Sequence, residues 1–223
     1  MPQRVASGIP GLDGLMQGGF LHKSSNLVTG NTGTGKTIFG LQFVWEGLKR
    51  GEPCVYVTLE EDPREIHEDA LAFGWDLKKY EAKGLFKLLY HDPAHVGDLS
   101  SVILEELEGM KAHRLVVDST ALIGLTIETP SQIRRRLVNL INSIRDSQAC
   151  TTLIISEITG DNMLSRFGIE EFVADGVIVM HYLGADSKHA RALEIRKMRR
   201  TRHGEGIYPF EIGPQGIVLT RPD

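Results

Sequence analysis

The spacing of apolar and polar positions changes several times along the chain, and the changes divide it into alternating strands and helices. Residues 25–29 form a short run centred on Leu27 and Val28, and residues 37–49 then repeat Ile38, Leu41, Trp45 and Leu48 at helical intervals. Residues 55–59 predict a second strand, Pro63 opens a helix reaching Phe73, and residues 85–89 predict a third strand. A helix over 102–110, a strand over 115–117 ending in Asp118, an amphipathic helix over 132–145 and a strand over 152–156 continue the series. Strands separated by helices imply a mostly parallel central sheet with helices on its faces.

After Gly176 the texture changes. Residues 177–182, 191–199, 207–212 and 216–220 read as strands joined by short turns, which predicts a C-terminal antiparallel extension of the same sheet. At the other end, residues 8–20 (GIPGLDGLMQGGF) hold too much glycine for regular structure and too many apolar residues for a solvated tail. They predict an ordered opening segment packed under the sheet. No repeat, low-complexity tract or linker interrupts the chain, so residues 1–223 are expected to form one α/β domain, a size that buries a core without disulfides or structural metal.

Composition narrows the picture only modestly. With 41% apolar and 24% charged residues the chain has the balance of a soluble globular protein, and a formal charge of −4 argues against a chain-wide grip on nucleic acid or acidic lipid while leaving local patches open. Cys54 and Cys150 each flank a β-branched run, which fits small buried residues in a reducing compartment better than metal or redox chemistry. The polar start, and the lack of any stretch near the ~18 apolar residues that cross a bilayer, lead to the expectation of a cytoplasmic protein with no membrane partner.

Chemistry enters at residues 30–37, GNTGTGKT, which fit G-x-x-x-x-G-K-[ST] between a predicted strand and a predicted helix, the context in which that pattern cradles phosphate. Gly30, Gly33 and Gly35 let the backbone turn its N–H groups inward around a triphosphate, and the helix adds the positive end of its dipole. Lys36 supplies a cation for the β and γ phosphates; Thr37 offers a hydroxyl to Mg²⁺, and Asp118 is the matching acid at the end of its strand. Gly30, Asn31, Thr32, Gly33, Thr34, Gly35, Lys36, Thr37 and Ile38 are therefore the expected ATP-binding residues, with Thr37, Asp118 and Glu60 the expected Mg²⁺ group.

Hydrolysis also needs a group that orients and deprotonates water. Glu60 and Glu61 follow the second strand at its carboxyl end, the edge where sheet ligands bind, and because successive side chains point to opposite faces only one of them faces the γ phosphate. The competing reading is an acidic cluster that merely starts the helix at Pro63. Lys197 and Arg199 alternate beyond Leu193 and Ile195, turning one strand face from apolar to cationic at its tip; this fits either a finger reaching for phosphate or a solvated strand end near Arg196, Arg200 and Arg202.

GIPGLD at 8–13, GNTGTGKT, VTLEED at 57–62, FGWDL at 73–77, KMRRTRH at 197–203 and YPFEI at 208–212 together resemble the KaiC family of RecA-like P-loop ATPases, nearly end to end. The resemblance implies that Glu60 is the main catalytic base and Glu61 its partner, that Ser156 and Glu157 form a sensor region, and that Lys197, Arg199 and His203 act across a subunit boundary in a hexameric homo-oligomer. In such a ring Lys197 and Arg199 would neutralise charge on the transferring phosphoryl group, a task worth on the order of 10³-fold for arginine fingers. The sequence departs from the family at Arg200, where glycine is frequent, and at Gly213-Pro214. Familiar members carry two fused copies and a phosphorylated tail region, whereas this chain has one P-loop, so clock timing and autophosphorylation are not expected to transfer.

Weaker signals lead elsewhere. Arg134, Arg135 and Arg136 on one predicted helix spread over different faces, which favours a solvated or intersubunit role over a nucleic-acid stripe. Pro93 between His91 and His95 spoils helical metal spacing, and the loop over 158–168 offers only Arg166 and Phe167 against Asp161 and Glu170, too little for strand tracking. Three classes of function follow: an ATP-hydrolysing ring acting on a protein partner, a DNA-recombination paralogue, and a slow ATP-dependent scaffold, with the first and third favoured.

Overall fold

The computed structural model describes residues 2–92, 98–124, 129–147, 150–160, 163–184 and 190–220. Nine strands form one sheet: β3 (Ser25–Gly30), β4 (Cys54–Thr58), β5 (Phe86–Tyr90), β6 (Arg114–Asp118), β7 (Thr151–Glu157), β8 (Gly176–Tyr182), β9 (Arg191–Met198), β10 (Ile207–Gly213) and β11 (Gly216–Leu219). Their spatial order is β11-β10-β9-β8-β3-β7-β6-β4-β5. From β8 to β5 neighbours run parallel, while β9, β10 and β11 are antiparallel, so the predicted mostly parallel sheet and its antiparallel extension are both present. This is the RecA-like arrangement.

Alternation along each strand assigns the two cores. Val28, Tyr56, Val116, Ile155 and Ile178 point to one face, which α2 (Lys36–Lys49) covers with Phe39, Phe43, Val44 and Leu48. Val55, Val57, Leu115 and Val117 point to the other and pack beneath α5 (Leu99–Met110) and α6 (Pro130–Ser147). Gly40 lets α2 lie close on the sheet: a Cβ there would stand 3.0 Å from side-chain carbons of both Ile155 and Val116. Also on the α2 face are α3 (Pro63–Ala72), capped by Asp62 through the Arg64 N–H, and α4 (Leu77–Glu81), an added turn that Asp76 caps through the Lys79 N–H.

The opening segment corrects the expectation of irregular backbone. It holds a short helix, α1 (Leu12–Leu15), after a β1 (Arg4–Val5) that pairs antiparallel with β2 (Phe20–Leu21). Gly11 and Gly18, at φ 91° and 104°, supply left-handed turns on either side of the helix, so the glycines delimit regular structure rather than prevent it. Ile9, Leu12, Met16 and Phe20 are buried in the same core as α2, with Phe20 meeting the Phe43 ring edge-on. Gln42 of α2 joins both ends of the chain: its Nε2 donates to the carbonyls of Gly8 and Ile217, and its Oε1 accepts from the Ile217 N–H.

Arg114 is fully buried beneath α2, where its guanidinium donates to Glu52 at 2.6 Å and to the Ala6 and Phe43 carbonyls at 2.8 Å, and stacks 4.5 Å from the Phe43 ring centroid. Both cysteines are free and buried, and burial raises both thiols, Cys150 to about 11. No helix among the described residues is long and apolar enough to cross a membrane. His91 approaches Asp98 at 3.5 Å, while His95, whose spacing from His91 argued against a metal pair, lies outside the described residues, as does Asp161 of the 158–168 loop.

Candidate nucleotide site

Strand order creates the site. β3 leads through α2 to β4, yet β7 and β6 lie between those strands, so the carboxyl ends of β3, β6 and β4 diverge around a crevice of the kind that holds ligands in open α/β sheets. Its volume is about 360 Å³, and Thr32, Gly33, Gly35, Lys36, Thr37 and Ile38 line one side. Opposite them stand Glu60, Glu61, Asp118 and Glu157.

The loop after β3 is shaped by contacts that tolerate no side chain. A Cβ on Gly30 would collide with the Met180 carbonyl oxygen, and one on Gly35, at φ 97°, would meet Ile212 Cδ1 at 2.9 Å. Thr34 is fully buried and donates to the Asn31 carbonyl at 2.9 Å, closing the turn from within. Lys36 Nζ donates to the same carbonyl at 3.0 Å, which folds its cation back over the loop. Burial lowers the Lys36 pKa, opposed by the charges of Glu157, Asp118 and Glu60.

Asp118 is the hub of the polar network. Thr37 Oγ1 donates to its Oδ2 at 2.9 Å and the buried Tyr56 hydroxyl donates to the same oxygen at 2.6 Å. Desolvation nonetheless raises the Asp118 carboxyl, because the two donors and Lys36 offset only part of the burial penalty. Thr58 shapes the turn after β4: its Oγ1 accepts from the N–H groups of Glu60 and Glu61 at 3.3 and 3.0 Å and donates to the Glu61 carbonyl.

The two glutamates occupy different surroundings, as alternating side-chain directions predict. Glu60 is exposed and accepts from the Ser119 hydroxyl at 3.4 Å. Glu61 turns inward: its Oε2 is buried with no partner among the described residues, and burial, then the charges of Asp118, Asp69 and Glu60, raise its carboxyl to about 7. The cleft thus concentrates carboxylate and hydroxyl oxygens around one lysine, a donor set suited to a hard cation such as Mg²⁺.

Other expected residues lie elsewhere. Ser156 is buried beneath the cleft and donates to Glu170, while Glu157 reaches the cleft and pairs with Arg166 at 3.3 Å. Lys197, Arg199 and His203 are at the opposite edge of the sheet. The Arg199 N–H bonds to the Asp175 carbonyl and Asp175 Oδ2 accepts from the Ser25 N–H, so Arg199 stands level with the start of β3, five residues or about 17 Å of strand from Gly30. Lys197 Nζ donates to the carbonyls of Glu171 and Ala174 at 2.9 and 2.7 Å, at the end of a short helix, α7 (Glu170–Val173). His203 Nδ1 lies 2.9 Å from the Gly204 carbonyl.

The sequence reading overlooked Arg191, which lines the cleft, donates to the Gly33 carbonyl at 3.1 Å and stacks over the Tyr182 ring. Its signal was available: an antiparallel ninth strand brings its amino end to the edge where the parallel strands have their carboxyl ends. Tyr56, Thr58, Asp69, Ser119 and Ile212 were also missed. Of these, Tyr56 and Thr58 sit inside apolar strand runs, where period alone marks them as core.

Comparison with known proteins agrees with this geometry. The sequence family described as "ATPase: KaiC" matches residues 5–223. A UPF0273 protein of Pyrococcus horikoshii is 35% identical over 98% of this chain and 94% of its own length. The circadian clock oscillator protein KaiC of Synechococcus elongatus is 35% identical over 95% of this chain but only 43% of its own length. Among solved structures, the crystal structure of a KaiC-like protein from Pyrococcus horikoshii superposes with a TM-score of 0.91 at 43% identity, covering 99% of this chain and 100% of that one. Fold, phosphate loop and sequence together show that the chain belongs to the KaiC family of ATPases.

Proposed function

We propose that the protein hydrolyses Mg·ATP at a site completed by a second copy of the chain in a ring, and that it acts as a regulatory ATPase on a protein partner. One observation carries the shared site: the cleft presents its base candidates and its lysine on one edge of the sheet, while Lys197 and Arg199 stand about 17 Å of strand away on the other. Those cations cannot serve the cleft of their own chain. Head-to-tail contact between copies, the heterologous mode that closes rings, brings one edge to the other.

Within the cleft, the loop N–H groups and Lys36 bind the phosphates of ATP, while Ile38 and Ile212 offer apolar contact at the mouth. Thr37 and Asp118 would hold Mg²⁺ directly or through its water, and Glu60 would complete that group. Bound there, Mg²⁺ supplies charge neutralisation at the β and γ phosphate oxygens. Glu60 orients the attacking water and takes its proton, with Glu61 buffering the site from behind. Lys197 and Arg199 of the next copy stabilise the charge that develops on the transferring group. Lys197 is tied to two carbonyls at the end of α7, so its engagement of phosphate exchanges those bonds for charged ones.

The test uses mixed rings. Lys36→Ala abolishes ATP binding, and Glu60→Gln keeps binding but loses hydrolysis. Mixing inactive Glu60→Gln and Arg199→Ala subunits in equal amounts restores both groups at about one quarter of randomly formed interfaces, and turnover should reappear there. Absence of recovery at every mixing ratio would remove the shared site.

A further inference from the structure

Resting on the shared-site reading, we infer that a second charge contact, separate from phosphate binding, sets the register between neighbouring copies: Arg200 and Arg202 of one copy pair with Glu65 and Glu68 on α3 of the next. Mg·ATP accounts for Lys197 and Arg199, but residues 196–202 read RKMRRTR, with five cations and no acid. Across the cleft, residues 60–69 read EEDPREIHED, with six acids against Arg64 and a histidine. The chain is weakly acidic overall, so these two opposed concentrations are local and lie on the two edges that a head-to-tail ring brings together.

Geometry favours contact. Glu65, Glu68 and Asp69 follow one another at helical spacing along an exposed face of α3, turned away from buried Ile66 and Ala70, and Asp69 already lines the cleft. Among the described residues none of these three has an ion-pair partner, and the Arg200 and Arg202 side chains have none either. The tip is built rather than loose. Arg4 donates to Thr201 Oγ1 at 2.8 Å and to the Arg200 carbonyl at 3.5 Å, and the Arg202 N–H bonds to Gln17. Arg200 itself takes φ 55°, in the left-handed region. A second copy of this chain is the occupant that presents the complementary acid at the correct edge.

The test is charge reversal read by sedimentation of the full chain with Mg²⁺ and a non-hydrolysable ATP analogue. Arg200→Glu/Arg202→Glu places acid against acid, and Glu65→Arg/Glu68→Arg places base against base. Each should raise the concentration for half-assembly by about tenfold or more, most strongly at low salt. An equimolar mixture can alternate so that every contact is again opposite in sign, and it should assemble as the wild type does. Misfolded variants would not be rescued by mixing. If wild type assembles but either variant matches it, or the mixture fails to recover, the pairing is wrong while the shared site stands. A wild type that remains monomeric at every concentration overturns both.

Discussion

Tyr56→Phe is a small change aimed at the centre of the site. The hydroxyl donates to Asp118 Oδ2 at 2.6 Å, the ring is fully buried, and the same oxygen takes the Thr37 hydroxyl at 2.9 Å. Phenylalanine keeps the packing and removes one donor to a carboxylate that desolvation already raises. A hydrogen bond to a charged group contributes about 1.5–3 kcal/mol, and because Thr37 remains and no polar atom is orphaned the lower end applies. For a chain of this size about 1.5 kcal/mol lowers Tm by roughly 3–6 °C. The larger effect falls on metal: loss of a group that orients a ligand weakens affinity by about 10–100-fold. Titrating Mg²⁺ into the ATP-bound protein and following turnover gives the half-saturating concentration, alongside thermal unfolding without ligand. Unchanged Mg²⁺ dependence and an unchanged Tm would refute the assignment of Asp118 as a carboxylate that Tyr56 holds ready for the metal.

Two further outcomes follow from the same structure. Glu61 is raised to about 7, mainly by burial, so the folded chain binds its proton more tightly than the unfolded one; stability of the metal-free protein therefore falls as pH rises from about 4.5 to 7 and levels off above. Glu61→Gln removes that fall, and its Tm advantage over wild type should be greater at pH 8 than at pH 5, an advantage that millimolar Mg²⁺ diminishes; equal differences at both pH values would show that Glu61 is not the titrating group. Glu52→Ala leaves the buried Arg114 without its carboxylate, and since Glu52 is partly exposed the low end of the usual penalty, about 3 kcal/mol, is expected. Calorimetry should show a Tm lower by roughly 6–12 °C.

The fold was largely legible because strand and helix periods are local properties. The runs around Leu27, Val57, Val117 and Ile154 needed only alternation and length, and the P-loop lies at the one junction where a glycine cluster follows a strand and precedes a helix. The helix within the opening segment escaped because Gly11 and Gly18 act through positive φ, which composition does not distinguish from disorder. Asp118 could be picked out as an acid at the end of an apolar strand, but Tyr56 could not, since its partner is 62 positions away and is set by β4 pairing with β6. The divergence of Glu60 and Glu61 followed from alternation; which of them has its carboxyl raised depends on tertiary burial and then on the charges of Asp118 and Asp69 converging in space.

Gln42 binds Gly8 and Ile217 at once, and the Leu219 N–H meets the Pro10 carbonyl at 3.0 Å, so the first and last elements share one clasp on α2. Position along the gene and position in space are decoupled at that seam. Because one side chain holds both segments of that seam, loosening of either one is coupled to loosening of the other, and the two should exchange their amide hydrogens together.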